Sequence, residues 1–125
     1  MTLTTTARPT TTWQNWGRTV RATPTAIVAP RSADEVCDIV RTAAADGRRV
    51  KPVGAGHSFT AIAQADDILM TLDGLGGLVH VDRPTRTVTL RAGTRLRAIP
   101  ALLAPYALAM ENLGDIDAQS IAGAV

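Results

Sequence analysis

Val53-Gly54-Ala55-Gly56-His57-Ser58-Phe59-Thr60 follows directly on Arg49-Val50-Lys51-Pro52-Val53, a short apolar run that reads as a β-strand. Two glycines spaced by one residue permit positive φ and draw successive backbone N–H groups together. Such a run of amides forms a nest for phosphate oxygens, to which Ser58 and Thr60 add hydroxyl donors. The stretch departs from the dinucleotide fingerprint G-x-G-x-x-G, because Phe59 stands at the third glycine and no helical pattern follows. It also lacks the Gly-Lys-Ser/Thr of an ATP-binding loop. On spacing alone, a structural turn with a solvent-facing histidine stays open beside the phosphate nest.

Upstream of the loop, Ala26-Ile27-Val28-Ala29-Pro30 reads as a strand ended by proline. Ser32-Ala33-Asp34-Glu35 is a capping box, and Val36, Ile39, Val40, Ala43 and Ala44 repeat at helical spacing until Gly47 stops them. The strand, helix and following strand make a β-α-β unit. Downstream, Ile68-Leu69-Met70-Thr71-Leu72 is a further strand. Leu78–Val81 and Thr87–Leu90 flank the turn residues Asp82-Arg83-Pro84-Thr85 and predict a hairpin. Gly93-Thr94 opens a helix whose Leu96, Ile99, Leu102 and Leu103 share a face, with Pro105 closing it, and Leu108-Ala109-Met110 reads as a last strand. The fold class is mixed α/β (α+β).

The chain has 125 residues, 46% hydrophobic and 19% charged, which suits a globular domain and excludes a disordered tail. Residues 1–12 carry seven threonines and one proline without periodicity and are read as a flexible arm. Net charge is +2, and the basic residues are scattered apart from Arg48-Arg49-x-Lys51, so nucleic acid is not an expected partner. Aromatic residues make up only 3%, too few to stack bases. Cys37 is the single cysteine and cannot form an internal disulfide; it reads as a small, partly buried thiol. There is no signal-peptide pattern and no window that could span a bilayer, so the cytoplasm is the default, with peripheral membrane association left open. Asp66-Asp67 read as the polar, water-facing start of a strand rather than metal ligands, and His80 as a structural or surface residue rather than a base. The end at Ser120-Ile121-Ala122-Gly123-Ala124-Val125 falls inside an apolar run, from which the chain is read as the front part of a longer protein.

A second loop, Gly114-Asp115-Ile116-Asp117-Ala118-Gln119-Ser120, leads into Ile121-Ala122-Gly123-Ala124, whose small side chains let a flat ring or a pyrophosphate approach the backbone. Ser120 is a candidate helix cap. Four elements then carry a resemblance: Pro30-x-Ser32-x-x-Glu35-Val36, Val53-Gly54-x-Gly56-His57-Ser58, Thr87-Val88-x-Leu90-x-Ala92-Gly93, and Glu111-Asn112-Leu113-Gly114-Asp115-Ile116-Asp117-x-Gln119-Ser120-Ile121-Ala122-Gly123. Over residues 13–125 the chain resembles the N-terminal part of the FAD-binding domain of the vanillyl-alcohol-oxidase/p-cresol-methylhydroxylase type. Within that type it is most similar to the sugar-1,4-lactone oxidases and dehydrogenases (gulonolactone, arabinonolactone), with alditol oxidases close behind.

The resemblance implies a two-subdomain FAD-binding fold, incomplete here, with the substrate domain absent. It implies that Gly54, Ala55, Gly56 and Ser58 donate to the FAD diphosphate, with Val53 and His57 also binding the cofactor. Gly114, Asp115, Ser120, Gly123 and Ala124, with Val125 beside them, would meet the diphosphate and the flavin edge. His57 falls where relatives bond covalently to the flavin's 8-methyl group. The cysteine that gives other relatives a second tether has no counterpart in Met110–Gly114. The implied reaction oxidises a CH–OH group of a sugar lactone, or of a polyol, by hydride transfer to the flavin. Oxygen or a cytochrome or quinone acceptor then takes the electrons. The catalytic acid–base is expected outside these residues. A non-catalytic FAD- or nucleotide-binding module and a small domain with another phosphate ligand are the readings that compete with it.

Overall fold

A computed structural model describes residues 11–125, so the Thr-rich arm read over residues 1–12 lies almost wholly outside the described residues. The chain begins with β1 (Trp13–Gln14) paired antiparallel to β2 (Arg21–Ala22). Then follow β3 (Ala26–Val28), α1 (Ala33–Ala45), β4 (Val50–Val53) and β5 (Ile68–Thr71). These three strands form a parallel sheet in the order β3-β5-β4. The β-α-β unit is present, but its two strands are not neighbours: β5 enters between them. The central strand of a parallel sheet is covered on both faces, and Ile68, Leu69 and Met70 are buried accordingly.

α1 is fixed at both ends as its sequence requires. Ser32 Oγ accepts from Glu35 N–H at 3.1 Å, and Glu35 Oε2 reaches back to Arg31 N–H at 2.7 Å. At the other end Gly47 adopts φ +64°, so that Arg48 N–H donates to Ala43 O at 2.8 Å and Gly47 N–H to Ala44 O at 3.1 Å. The buried stripe is narrower than the sequence pattern. Ala43 is buried and Val36 and Ile39 half-buried, whereas Val40 and Ala44 face solvent. Cys37 is exposed as well, against the expectation of a partly buried thiol, because only one flank of α1 meets the sheet.

β6 (Leu78–Asp82) and β7 (Thr87–Leu90) form the expected hairpin, irregular between Leu78 and His80. The predicted helix after Gly93 is broken into a 3-10 turn at Leu96–Ala98, α2 (Ile99–Leu103) and a second 3-10 turn at Ala104–Tyr106. Pro105 lies inside that last turn, which ends at Ala107 with φ +54° rather than at the proline. Leu108–Met110 is not a strand, yet Leu108 and Met110 pack on the cluster of Leu96, Ile99 and Leu103 together with Leu78, Val88 and Leu90 of the hairpin. A separate cluster, Val53, Ala65 and Leu69, lies on the parallel sheet with Trp13 packed against it. α3 (Ile121–Ala124) ends the described chain. Among the described residues no helix is long and apolar enough to cross a membrane.

The two halves are joined at Gly93. A Cβ there would overlap the Leu72 carbonyl and come within 2.9 Å of Leu75 O, while Gly93 N–H donates to Leu75 O at 2.8 Å. Thr94, 2% exposed, donates to Arg91 O and accepts from Gly77 N–H at 2.9 Å, closing the same turn. At the sheet edge Asp67 accepts from Arg49 N–H at 2.9 Å and pairs with the Arg49 guanidinium at 3.5 Å, and these bonds hold its carboxyl below the usual carboxylate range.

Gly93→Ala is expected to destabilise the fold by about 2–4 kcal/mol, since backbone rather than a flexible side chain must move. Gly47→Ala meets nothing within 4 Å and bears only its left-handed φ, costing about 1 kcal/mol. Urea unfolding of both variants checks the difference, and equal losses would refute the seam at Gly93. Because Asp67 is depressed in the folded state, its contribution is complete above the ordinary carboxylate pKa and is lost as pH falls through the lowered value. Asp67→Asn should therefore flatten the acid limb of a stability–pH curve, and an unaltered limb would remove Asp67 from the account.

Candidate functional site

β4 delivers the glycine loop. Val53, 4% exposed, anchors its start, and Leu72 N–H donates to Val53 O at 3.3 Å. Gly56 takes φ +69°, the conformation that the sequence reserved for a glycine here. Among the described residues no acceptor is found for the backbone N–H groups of Ala55, Gly56, His57 and Ser58. Amides left in this way at a cleft form an anion-binding concavity.

The second loop is brought to the first by backbone bonds from the seam. Ile121 N–H donates to Thr94 O at 2.8 Å, Ala122 N–H to Ala92 O at 3.2 Å, and Leu96 N–H to Gln119 O at 2.9 Å. Arg95 and Ser120 form an antiparallel bridge, and the Arg95 guanidinium adds a bond to Ala118 O at 2.8 Å and an ion pair with Asp73. Ser120 lands against Gly54 so closely that a Cβ on Gly54 would overlap Ser120 Oγ. Ser120 stands at the N-cap position before α3, but its side chain does not cap it. The hydroxyl is buried, and among the described residues it has no partner. An orphaned buried hydroxyl is costly unless a ligand satisfies it.

A cleft of about 500 Å³ lies between the two loops, within the range of roughly 300–1,000 Å³ usual for small-ligand sites. Of the residues singled out from sequence, Val53, Gly54, Ala55, Gly56, His57 and Ser58 line it from one side and Ser120 and Gly123 from the other, with Val125 at its edge. Gly114, Asp115 and Ala124 do not line it: Gly114 and Asp115 are exposed, and Ala124 sits on α3 turned from the cleft that Ala122 and Gly123 border. Sequence reasoning missed Lys51, Pro52, Ile62, Ala63 and Gln119. Lys51 and Pro52 precede the glycine loop on β4 and could have been found there, whereas nothing local marks Ile62, Ala63 or Gln119.

His57 is half-buried rather than solvent-facing. Its Nδ1 is buried without a partner among the described residues, and Trp16 stacks on its ring at 5.1 Å between centroids. Among the described residues no Asp or Glu side chain lines the cleft, and Lys51 does. Free amides, a buried hydroxyl, a lysine and the absence of lining carboxylates suit an anionic group such as the diphosphate of FAD. These residues fit that cofactor.

The model of the FAD binding domain family matches residues 24–125. L-gulono-1,4-lactone dehydrogenase of Mycobacterium tuberculosis is 46% identical over 112 residues, covering 90% of this chain and 26% of that protein. D-arabinono-1,4-lactone oxidase of Eremothecium gossypii is 35% identical over 117 residues, covering 90% of this chain and 22% of its own. The chain thus spans about a quarter of the length of these curated relatives. The crystal structure of cholesterol oxidase from B. sterolicum superposes with a TM-score of 0.74 at 23% identity, over 90% of this chain and 22% of that one, a likeness of fold.

Gly54→Ala should force Ser120 away and weaken FAD binding by roughly ten- to a hundredfold, the equivalent of about 1–3 kcal/mol of overpacking. Fluorescence titration of apoprotein measures this. Wild-type affinity in the variant would show that the loops need not meet.

Proposed function

This chain belongs to the FAD binding domain family, and from that premise we propose that it is the cofactor-holding part of a flavoprotein that oxidises a CH–OH group of a sugar 1,4-lactone. The observation that carries the reading is the cleft in which the glycine loop and the Ser120 loop meet. The lactone is supported by the 46% and 35% identical relatives, named as a lactone dehydrogenase and a lactone oxidase.

Each part of the site has a role in this reading. Backbone N–H groups of Ala55, Gly56, His57 and Ser58 bind the diphosphate, and Ser120 Oγ donates to it. Gly54 has no side chain because Ser120 occupies that space. Lys51 lowers the cost of gathering negative charge at the cleft. When bound, FAD supplies the two-electron acceptor: the alcohol loses a hydride and a proton, and dioxygen or a quinone or protein acceptor finally receives the electron pair.

His57 supplies the imidazole nitrogen that bonds to the flavin's 8-methyl carbon. His57 would hold the flavin there, and making the bond would need a two-electron oxidant, a part that dioxygen would play. The half-buried ring, which lines the cleft and whose Nδ1 has no partner among the described residues, supports this role.

The whole flavoprotein, rather than this chain alone, is expected to keep its yellow flavin through acid precipitation and to show a fluorescent band on a denaturing gel. His57→Ala should release the flavin to the supernatant while still binding it. Colour that washes off the wild-type protein would sink the covalent link. Anaerobic addition of L-gulono- or D-arabinono-1,4-lactone should bleach the flavin, and bleaching by polyols alone would replace the lactone with a polyol substrate.

A further inference from the structure

Residues 13–19 lie outside the span matched by the FAD binding domain family, yet they grip the glycine loop. Asn15, 3% exposed, donates from Nδ2 to Ser58 O at 2.9 Å. Trp16 N–H donates to Gly56 O at 2.8 Å, and Thr19 Oγ1 to Phe59 O at 3.1 Å. Gly17 approaches Phe59 so closely that a Cβ would meet its ring at 2.6 Å. From this base the Trp16 indole lies on the His57 imidazole, centroids 5.1 Å apart and planes 21° apart, and Phe59 meets the indole edge-on at 6.4 Å and 77°.

We propose that Trp16 is the positioning residue for His57, fixing the plane of the imidazole from which its nitrogen bonds to the flavin. The inference rests on the covalent linkage described above. The lone pair of an imidazole nitrogen lies in the ring plane, so the plane decides where either nitrogen can attack. The second side-chain torsion of histidine is broad and roughly two-fold. A stacked indole narrows it to one plane, and bond formation depends on such near-attack geometry. The plane is the same whichever nitrogen reacts.

Core packing does not account for this tryptophan. Trp16 is 62% exposed, so little of its apolar surface is buried, and its principal aromatic partner is a ring that lines the cofactor cleft. Its backbone bond to Gly56 O survives any side-chain replacement, so the loop stays anchored in the variants.

Apoprotein of the whole flavoprotein is incubated with FAD, and acid-stable flavin is followed over time in wild type, Trp16→Ala, Trp16→Phe and His57→Ala, with FAD affinity and melting temperature measured beside it. Trp16→Ala should slow attachment by roughly two- to tenfold, the weight of one aromatic stack, with affinity and melting temperature close to wild type. Trp16→Phe should recover most of the rate. Attachment in Trp16→Ala at the wild-type rate sinks this inference and leaves the linkage standing. A loss of rate, affinity and melting temperature together, unrepaired by Trp16→Phe, assigns Trp16 a structural role and overturns it as well. Wild type without acid-stable flavin overturns the linkage itself, and this inference with it.

Discussion

The contact on which the rest depends is the approach of Gly93 to the Leu72 carbonyl, where no Cβ can stand. It presses the segment after the β6–β7 hairpin against the end of β5, and β5 is the strand that pairs with β4. Once Ala92 and Thr94 are held there, their carbonyls accept from Ala122 and Ile121, and Ser120 has one place to go, against Gly54. Loops about sixty residues apart in sequence are thus brought together by backbone bonds and two glycines. Hydrophobic burial alone is non-directional and would not set so close a register.

The electrostatics of the cleft follow from the same economy of side chains. A diphosphate is doubly charged and needs short donors on a surface without carboxylates, and backbone amides provide them with little entropy lost on binding. The scarcity of aromatic residues is consistent with this way of holding a cofactor. The aromatic residues at the site are not platforms for it: Trp16 and Phe59 are engaged with His57 and with each other. The segment from Asn15 to Thr19 acts as a clasp on the glycine loop through Asn15, Trp16 and Thr19, which places the Trp16 indole on the His57 ring.

Much of this was legible in the residues. The capping box at Ser32 and Glu35, the Gly47 stop and the hairpin around Asp82–Thr85 are local devices, and each forms where its own chemistry puts it. Other readings failed where the deciding partner was distant. Val40 and Cys37 carry the right periodicity or neighbours for burial, but only one flank of α1 has a sheet to meet. Leu108–Met110 has the composition of a strand but pairs with none among the described residues; Leu108 N–H returns to Leu103 O, and the Leu108 and Met110 side chains pack on the Leu96 cluster. Ser120 looks like a cap by position, and its hydroxyl turns out to be buried against Gly54 instead.

The sequence by itself determined the short-range facts: the capped helix from Ser32 to Gly47, the strands on either side of it and the hairpin turn, where positive φ is needed, and that Gly54–Ser58 can present amides to an anion. These depend on torsions and on hydrogen bonds between near neighbours. Tertiary structure alone decided that β5 enters between β3 and β4, that Lys51, Ile62 and Gln119 share a cleft with the glycine loop, and that Trp16 covers His57. Those outcomes depend on close approaches between segments far apart in the chain, and no local pattern encodes a distance across the fold.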